Sequence, residues 1–221
     1  MWWLRFNSLK EAEASVGGLS APSKMPSYAW SISAKRCNIG SKLAKVEGSV
    51  CYKCYALKGR YMFPMVQNAL EKRYNKWSEN RDEWTNAMIY IMNNKKHIIE
   101  TGVFRWFDSG DIQGEAMLSD INTIAWSSPN IRFWLPTKEY NLVKEYKNNN
   151  DIAPNLIIRV SNPNVNTNTL KGHDYISTVY SKDMLENSEG YICPSSKQEN
   201  QCKDCRACWS DKINEVTYLA H

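Results

Sequence analysis

The chain has 221 residues, 43% of them hydrophobic and 23% charged, a globular balance that excludes disorder and collagen-like repeats and suits a single domain over residues 1–221. No run approaches the roughly 18 apolar residues of a membrane span, and the opening Met1-Trp2-Trp3-Leu4-Arg5-Phe6 is broken by charge with no cleavage site after it. Neither a membrane partner nor export is therefore expected. The net charge of +5 is spread along the chain, with its densest basic cluster at Lys42, Lys45, Lys53, Lys58 and Arg60. Nucleic-acid binding is one reading of that cluster, and a solvated basic face is the plainer one.

Residues 28–33 read as a first strand and lead into a cysteine-bearing loop. Two helical stretches follow. One carries Val66, Ala69, Leu70, Arg73 and Trp77, the other Trp84, Met88, Ile91 and Met92, and their Met and Trp content reads as core. A β-α unit then repeats. Residues 103–108 form a strand ending at Ser109-Gly110-Asp111, and a helix carries Met117, Ile121, Ile124 and Ala125 as far as Pro129. Residues 131–135 form the next strand, ending at Thr137-Lys138, with Leu142, Val143 and Tyr146 on the helix after it. Residues 156–160 form another, ending at Ser161-Asn162-Pro163. Strand starts step by about 26 residues, the length of a β-α unit with a parallel sheet. Residues 175–180 add a strand, and residues 213–219 alternate like a late strand at an edge.

Five or six strands predict an open, partial barrel of α/β class, not a closed eight-stranded one. Active sites of such folds lie at the carboxyl ends of the strands. Here those ends carry Asp108, Ser109, Gly110 and Asp111, then Thr137 and Lys138, then Arg159, Ser161 and Asn162. Turns and helix caps account for such residues singly, whereas three successive polar ends point equally to a shared site.

The seven cysteines cannot all pair, and a chain without an export signal is expected in the cytoplasm, where thiols stay reduced. They divide into Cys37, Cys51 and Cys54 in a first loop (residues 37–54), and Cys193, Cys202, Cys205 and Cys208 in a late motif (residues 193–208). Four thiolates so close saturate one metal centre, and the steps of three from Cys202 to Cys208 favour a 4Fe-4S cluster over zinc. Three thiolates leave one coordination position open, where a metal centre does chemistry. Zinc is the alternative, with Cys51/Cys54 and Cys205/Cys208 as knuckles of a nucleic-acid- or partner-binding module. No Ser–His–Asp order and no phosphate-cradling glycine loop occurs, so hydrolase and NTPase readings have no support.

The run Cys51-Tyr52-Lys53-Cys54-Tyr55-Ala56 after a first strand is similar to the cluster loop of radical S-adenosylmethionine (SAM) proteins. Residues 105–111, 133–138 and 159–161, with Cys193-Pro194 and residues 202–209, together resemble a phage-encoded gene-product family itself similar to radical SAM proteins. The resemblance spans about residues 28–209. It implies a partial TIM-type β/α barrel, with one or two 4Fe-4S clusters, that binds or reductively cleaves SAM and takes electrons from a donor. Its substrate, small molecule or macromolecule, is left unspecified. An iron–sulfur protein with no catalytic role and an inert virion component are the non-enzymatic counterparts.

In that resemblance Cys37, Cys51 and Cys54 carry the open cluster. Ser109-Gly110-Asp111 stands at the motif that holds the amino group of SAM, and Tyr52 lies near the adenine. Thr137, Lys138, Arg159 and Ser161 meet the methionyl carboxylate or the ribose hydroxyls. The spacing departs from the usual C-x3-C-x2-C, since 13 residues separate Cys37 from Cys51, and Ser-Gly-Asp replaces a Gly-Gly-Glu type motif.

Overall fold

Strands β1 (Ala29–Trp30), β2 (Val103–Trp106), β3 (Arg132–Thr137), β4 (Leu156–Ser161), β5 (Ile176–Tyr180), β6 (Tyr191–Ile192) and β7 (Glu215–Leu219) build one sheet. Its order is β1-β2-β3-β4-β5-β7-β6, and every pairing is parallel. The computed structural model describes residues 6–220. The charge-broken opening of residues 1–5 thus lies outside the described residues. Within them β1 and β6 stand at opposite ends of the sheet, which is open.

Among the described residues seven α-helices accompany the sheet in a mixed α/β arrangement: α1 (Leu9–Ser15), α2 (Asn38–Leu43), α3 (Pro64–Glu79), α4 (Arg81–Asn94), α5 (Lys96–Thr101), α6 (Glu115–Trp126) and α7 (Tyr140–Asn149). Local chemistry sets their ends. Pro64 opens α3, where its missing N–H would have no helical partner anyway. Asn80 caps α4 by accepting from the Glu83 amide at 3.1 Å. Among the described residues no helix is long and apolar enough to cross a membrane.

Strand alternation gives the sheet two different faces. Phe104, Trp106, Phe133, Leu135, Ile158 and Val160 join Met88, Ile91 and Met92 of α4 and Ile121 and Ile124 of α6 in the main core. Each such side chain contributes roughly 1.5–3 kcal/mol by leaving water. Trp30 fills its centre, 4.9 Å from the Trp84 ring and 6.2 Å from Trp106. On the other face Val103 and Trp134 pack with Ala207, Cys208, Trp209 and Val216. The Trp209 ring meets Trp134 edge-on at 5.2 Å, and its Nε1 donates to the Phe104 carbonyl at 2.8 Å. The late cysteine segment therefore covers the sheet face that the helices leave open.

The structure corrects three expectations. Among the described residues there are seven strands, not five or six, because β6 has only two residues, both exposed, and carries no hydrophobic pattern. The first strand is Ala29–Trp30, not residues 28–33. From Ser31 onward the chain leaves the ladder and serves the neighbouring loop, Ser31 Oγ accepting from the Asp108 amide and the Ile32 carbonyl from Ser109 Oγ. Finally, β7 is not an edge strand but stands between β5 and β6. Its Thr217 is buried because Thr178 (2.9 Å) and Ser188 satisfy the hydroxyl.

Candidate functional site

The ends of β2 and β3 are tied into one unit. Phe107 takes a left-handed φ of 53°, a conformation costing a bulky residue on the order of 1 kcal/mol, and so turns the chain sharply out of β2. Gly110 follows with φ 81°, where a Cβ would lie 2.5 Å from Ile32 Cγ1 and 2.7 Å from its carbonyl oxygen. Only glycine fits. Asp111 is buried: its Oδ1 accepts from Thr137 Oγ1 at 2.6 Å and the Ile112 amide at 2.8 Å, and its Oδ2 from the Lys138 amide at 2.8 Å. Burial pushes this carboxyl up to about 6, against the pull of those three hydrogen bonds.

Ser109, Gly110, Asp111 and Thr137, expected at the SAM amino group and its surroundings, thus come together, but as a knot between two loops whose polar atoms largely satisfy one another. Ser161 at the end of β4 accepts from Ser177 Oγ at 3.1 Å. Tyr52 lies at the rim, 38% exposed, with Lys53 Nζ 5.2 Å from its ring centroid.

The 13 residues between Cys37 and Cys51 form α2 and a turn that brings the chain back on itself. Val50 is pinned to the loop after β4 by its amide donating to the Pro163 carbonyl at 2.9 Å. A Cβ on Gly40 of α2 would lie 3.6 Å from Cys37 Sγ and 3.6 Å from Cys51 Sγ, so the two sulfurs flank this glycine. The Cys54 amide donates to the Cys51 carbonyl at 3.0 Å and holds the third thiol in the same turn.

Burial pushes the Cys37 thiol well up, and Asp111, the other two cysteines and Glu139 push it the same way. Burial also raises Cys51, where the Lys138 cation opposes it. The Lys138 ammonium is drawn down by burial and held up by all three thiols and Asp111. No carboxylate pairs with it among the described residues. Apart from Asp111, the groups that this lysine faces are negative only when the thiols ionise.

Arg159 is not brought to this group. Its guanidinium, 0% exposed, donates to the carbonyls of Ile176 (3.0 Å), Asn214 (3.1 Å) and Ile213 (3.0 Å), with longer contacts to Ala207 and Ser210. Its place is under the late cysteine segment, where it binds backbone. The expectation of a ligand contact arose because Arg159 sits near a strand end. Strand parity instead turns it to the sheet face that residues 207–213 cover.

Cys193, Cys202, Cys205 and Cys208 line one small cleft with Tyr191 and Trp209. Each sulfur has its own neighbour: Ser195 Oγ at 3.3 Å from Cys193, Met25 Sδ at 3.8 Å from Cys202, Tyr191 hydroxyl at 3.7 Å from Cys205, and Tyr218 hydroxyl at 3.0 Å from Cys208. Burial pushes the Cys208 thiol up to about 12, partly offset by the Tyr218 hydrogen bond and Arg159. Sequence reading missed these neighbours, and Gly40. Gly40 stands three residues after Cys37, one helical turn on, and that spacing was the available signal.

Among the described residues no group of three or more His, Cys, Asp or Glu side chains stands arranged to hold a metal ion. The donor chemistry nonetheless fits a thiophilic group: all seven thiols are free, three gather round an unpaired lysine and four line one cleft. A family model described as gene product 88 matches residues 2–211. No curated protein and no solved structure matches the chain.

Proposed function

We propose that this chain, which belongs to the gene product 88 family, a phage-type gene product family, is an iron–sulfur protein with a radical-SAM-like partial barrel. Cys37, Cys51 and Cys54 hold an open 4Fe-4S cluster, and Cys193, Cys202, Cys205 and Cys208 hold a closed one. One observation carries the reading: two cysteines with 13 residues between them are folded back to flank Gly40, facing a lysine that forms no ion pair among the described residues. The run of parallel strands β1 to β5, adjacent in chain order, supports the partial barrel.

When bound, an open cluster supplies an electron and a free iron position to a chelating ligand such as SAM. The protein's own part is positional. Lys138 balances the charge of three thiolates, and Gly40 leaves room between two of them. The Asp111–Thr137 knot fixes Lys138 relative to the end of β2. Asp111 already accepts three hydrogen bonds, which leaves one lone-pair direction on Oδ2 for an ammonium group. Tyr52 at the rim is free to cover an adenine. Seven free thiols support a reading in which this chemistry runs in the host cytoplasm with an electron donor as partner. Zinc is the second reading, favoured at the late site alone, where four thiols complete a tetrahedral set.

Purification without oxygen, with iron, sulfide and zinc measured per chain and EPR recorded with and without SAM, tests the proposal. Brown protein with about eight irons and a SAM-dependent EPR change is the expected result. Colourless protein holding only zinc overturns it in favour of a zinc-stabilised binding module.

A further inference from the structure

A second concavity lies beside the cysteine loop. A cleft of about 420 Å³ opens between α3, the turn at Tyr61 and the segment 20–22, and Asp108 at the end of β2 forms part of its wall. That is the size of a small-molecule site. Val66 and Ala69 of α3 and Pro22 give it apolar sides, and Met65, 82% exposed, stands at its mouth.

Its charges are incompletely matched. Arg73 is only 9% exposed, yet no carboxylate pairs with it among the described residues. Its Nε donates to the Gly18 carbonyl at 3.0 Å and its Nη1 to Ser20 Oγ at 2.9 Å, both neutral, and Nη2 has no protein partner there. Arg60 adds a second, exposed cation to the same wall. Asp108, the one acid lining the cleft, forms no ion pair with either. Its Oδ2 accepts from the Tyr61 hydroxyl at 3.5 Å, and its Oδ1 is buried with no partner among the described residues. Asp108 acts on Arg73 through space without bonding to it, and a buried guanidinium with no direct ion pair and a buried carboxylate oxygen with no donor are both costly arrangements unless a third party satisfies them.

We propose that this cleft binds a small organic anion, a carboxylate or phosphate carried on an apolar body, with its charge on Arg73 and Arg60 and a hydrogen-bond donor of the ligand on Asp108 Oδ1. The site adjoins the cysteine loop, since the Tyr55 hydroxyl donates to the Asp108 carbonyl at 2.5 Å. Its use as a substrate site rests on the cluster reading, whereas binding as such does not.

The probe is 8-anilinonaphthalene-1-sulfonate, an anion on an apolar frame, titrated by fluorescence against the full chain, with hexanoate, hexyl phosphate and inorganic phosphate as competitors. One saturable site is expected, weakened about tenfold or more by Arg60→Gln and by Ala69→Trp, which fills the cleft, and unchanged by Lys58→Gln. Hexyl phosphate or hexanoate should displace the probe, and the better of them names the head group. Inorganic phosphate, lacking the apolar body, should compete at least about tenfold less well. Absence of saturable binding, equal binding by Arg60→Gln and the wild type, or inorganic phosphate competing as well as hexyl phosphate overturns the proposal. Arg60 is exposed and its replacement leaves the core untouched, so that variant decides even if Ala69→Trp misfolds. Iron content and EPR are read separately, so failure here is distinct from failure of the cluster reading.

Discussion

The Tyr218 hydroxyl stands 3.0 Å from Cys208 Sγ, on the strand that threads between β5 and β6. An inner strand thereby presents a donor to a sulfur of the late cysteine cleft. Hydrogen bonds to ligating sulfur stabilise the more negative, reduced state of a cluster. Tyr218→Phe should therefore lower the reduction potential of the late centre by on the order of 40 mV, the one-electron equivalent of one hydrogen bond. Potentiometric titration followed by EPR checks this, and an unchanged potential would show that the hydroxyl does not act on the cluster.

Arg159 serves a different purpose. Its buried guanidinium holds the carbonyls of Ile176, Ile213 and Asn214, so Arg159→Met strands three acceptors beneath the cysteine segment. A loss of about 3–5 kcal/mol in urea unfolding is expected. Lys138→Met, which breaks no carboxylate pair, should cost roughly 1 kcal/mol or less in cluster-free protein. Equal losses would contradict the distinction drawn between these two cations.

Asp111 makes cluster-free protein sensitive to pH. Its folded value is raised from 3.8 to about 6, so between those values the folded state binds the proton more tightly than the unfolded chain. This contribution to stability is complete below about pH 3.8 and is lost as the pH rises through about 6, amounting to roughly 2–3 kcal/mol. Asp111→Asn should remove that dependence. It should also lower stability at pH 7 by about 1–3 kcal/mol, because an amide NH2 meets the Lys138 or Ile112 amide. Unfolding curves of both proteins at pH 4, 5, 6 and 7 decide the matter.

Two cysteine variants separate the two sites. Cys51→Ala should remove about four irons and leave the unfolding midpoint nearly unchanged, whereas Cys205→Ala should lose both metal and fold stability. Gly40→Val places methyl groups between the sulfurs of Cys37 and Cys51, and it should copy Cys51→Ala in iron content. The same iron loss and the same destabilisation in Cys51→Ala and Cys205→Ala would mean that the cysteines act as one set.

Much of this architecture could be read from the chain. Strands β2, β3 and β4 and the helices between them were legible because most of their residues are buried and apolar and the β-α step repeats. Residues 191–192 were not, since two exposed residues in a strand leave no periodic trace. The division of the cysteines three and four was visible in their spacing, but the return of Cys51 to Cys37 was not, because it depends on α2 and on the Val50–Pro163 hydrogen bond. Arg159 and Lys138 looked alike as cations at strand ends. Only strand parity and the path of residues 207–213 show that one binds backbone on the covered face while the other faces the thiols.

The position of β7 has a consequence for how the chain assembles during synthesis. Residues 215–219 emerge from the ribosome after β6, yet they stand between β5 and β6. Until they are available β5 keeps a bare edge, and the late cysteine segment lacks the Val216 side chain and the Tyr218 hydroxyl that pack against Cys208. Bare parallel edges are slow to pair and prone to wrong partners. The late cleft is thereby completed last, after the strand that carries Tyr218 has slotted into the sheet, and any metal the proposed site takes up would follow it.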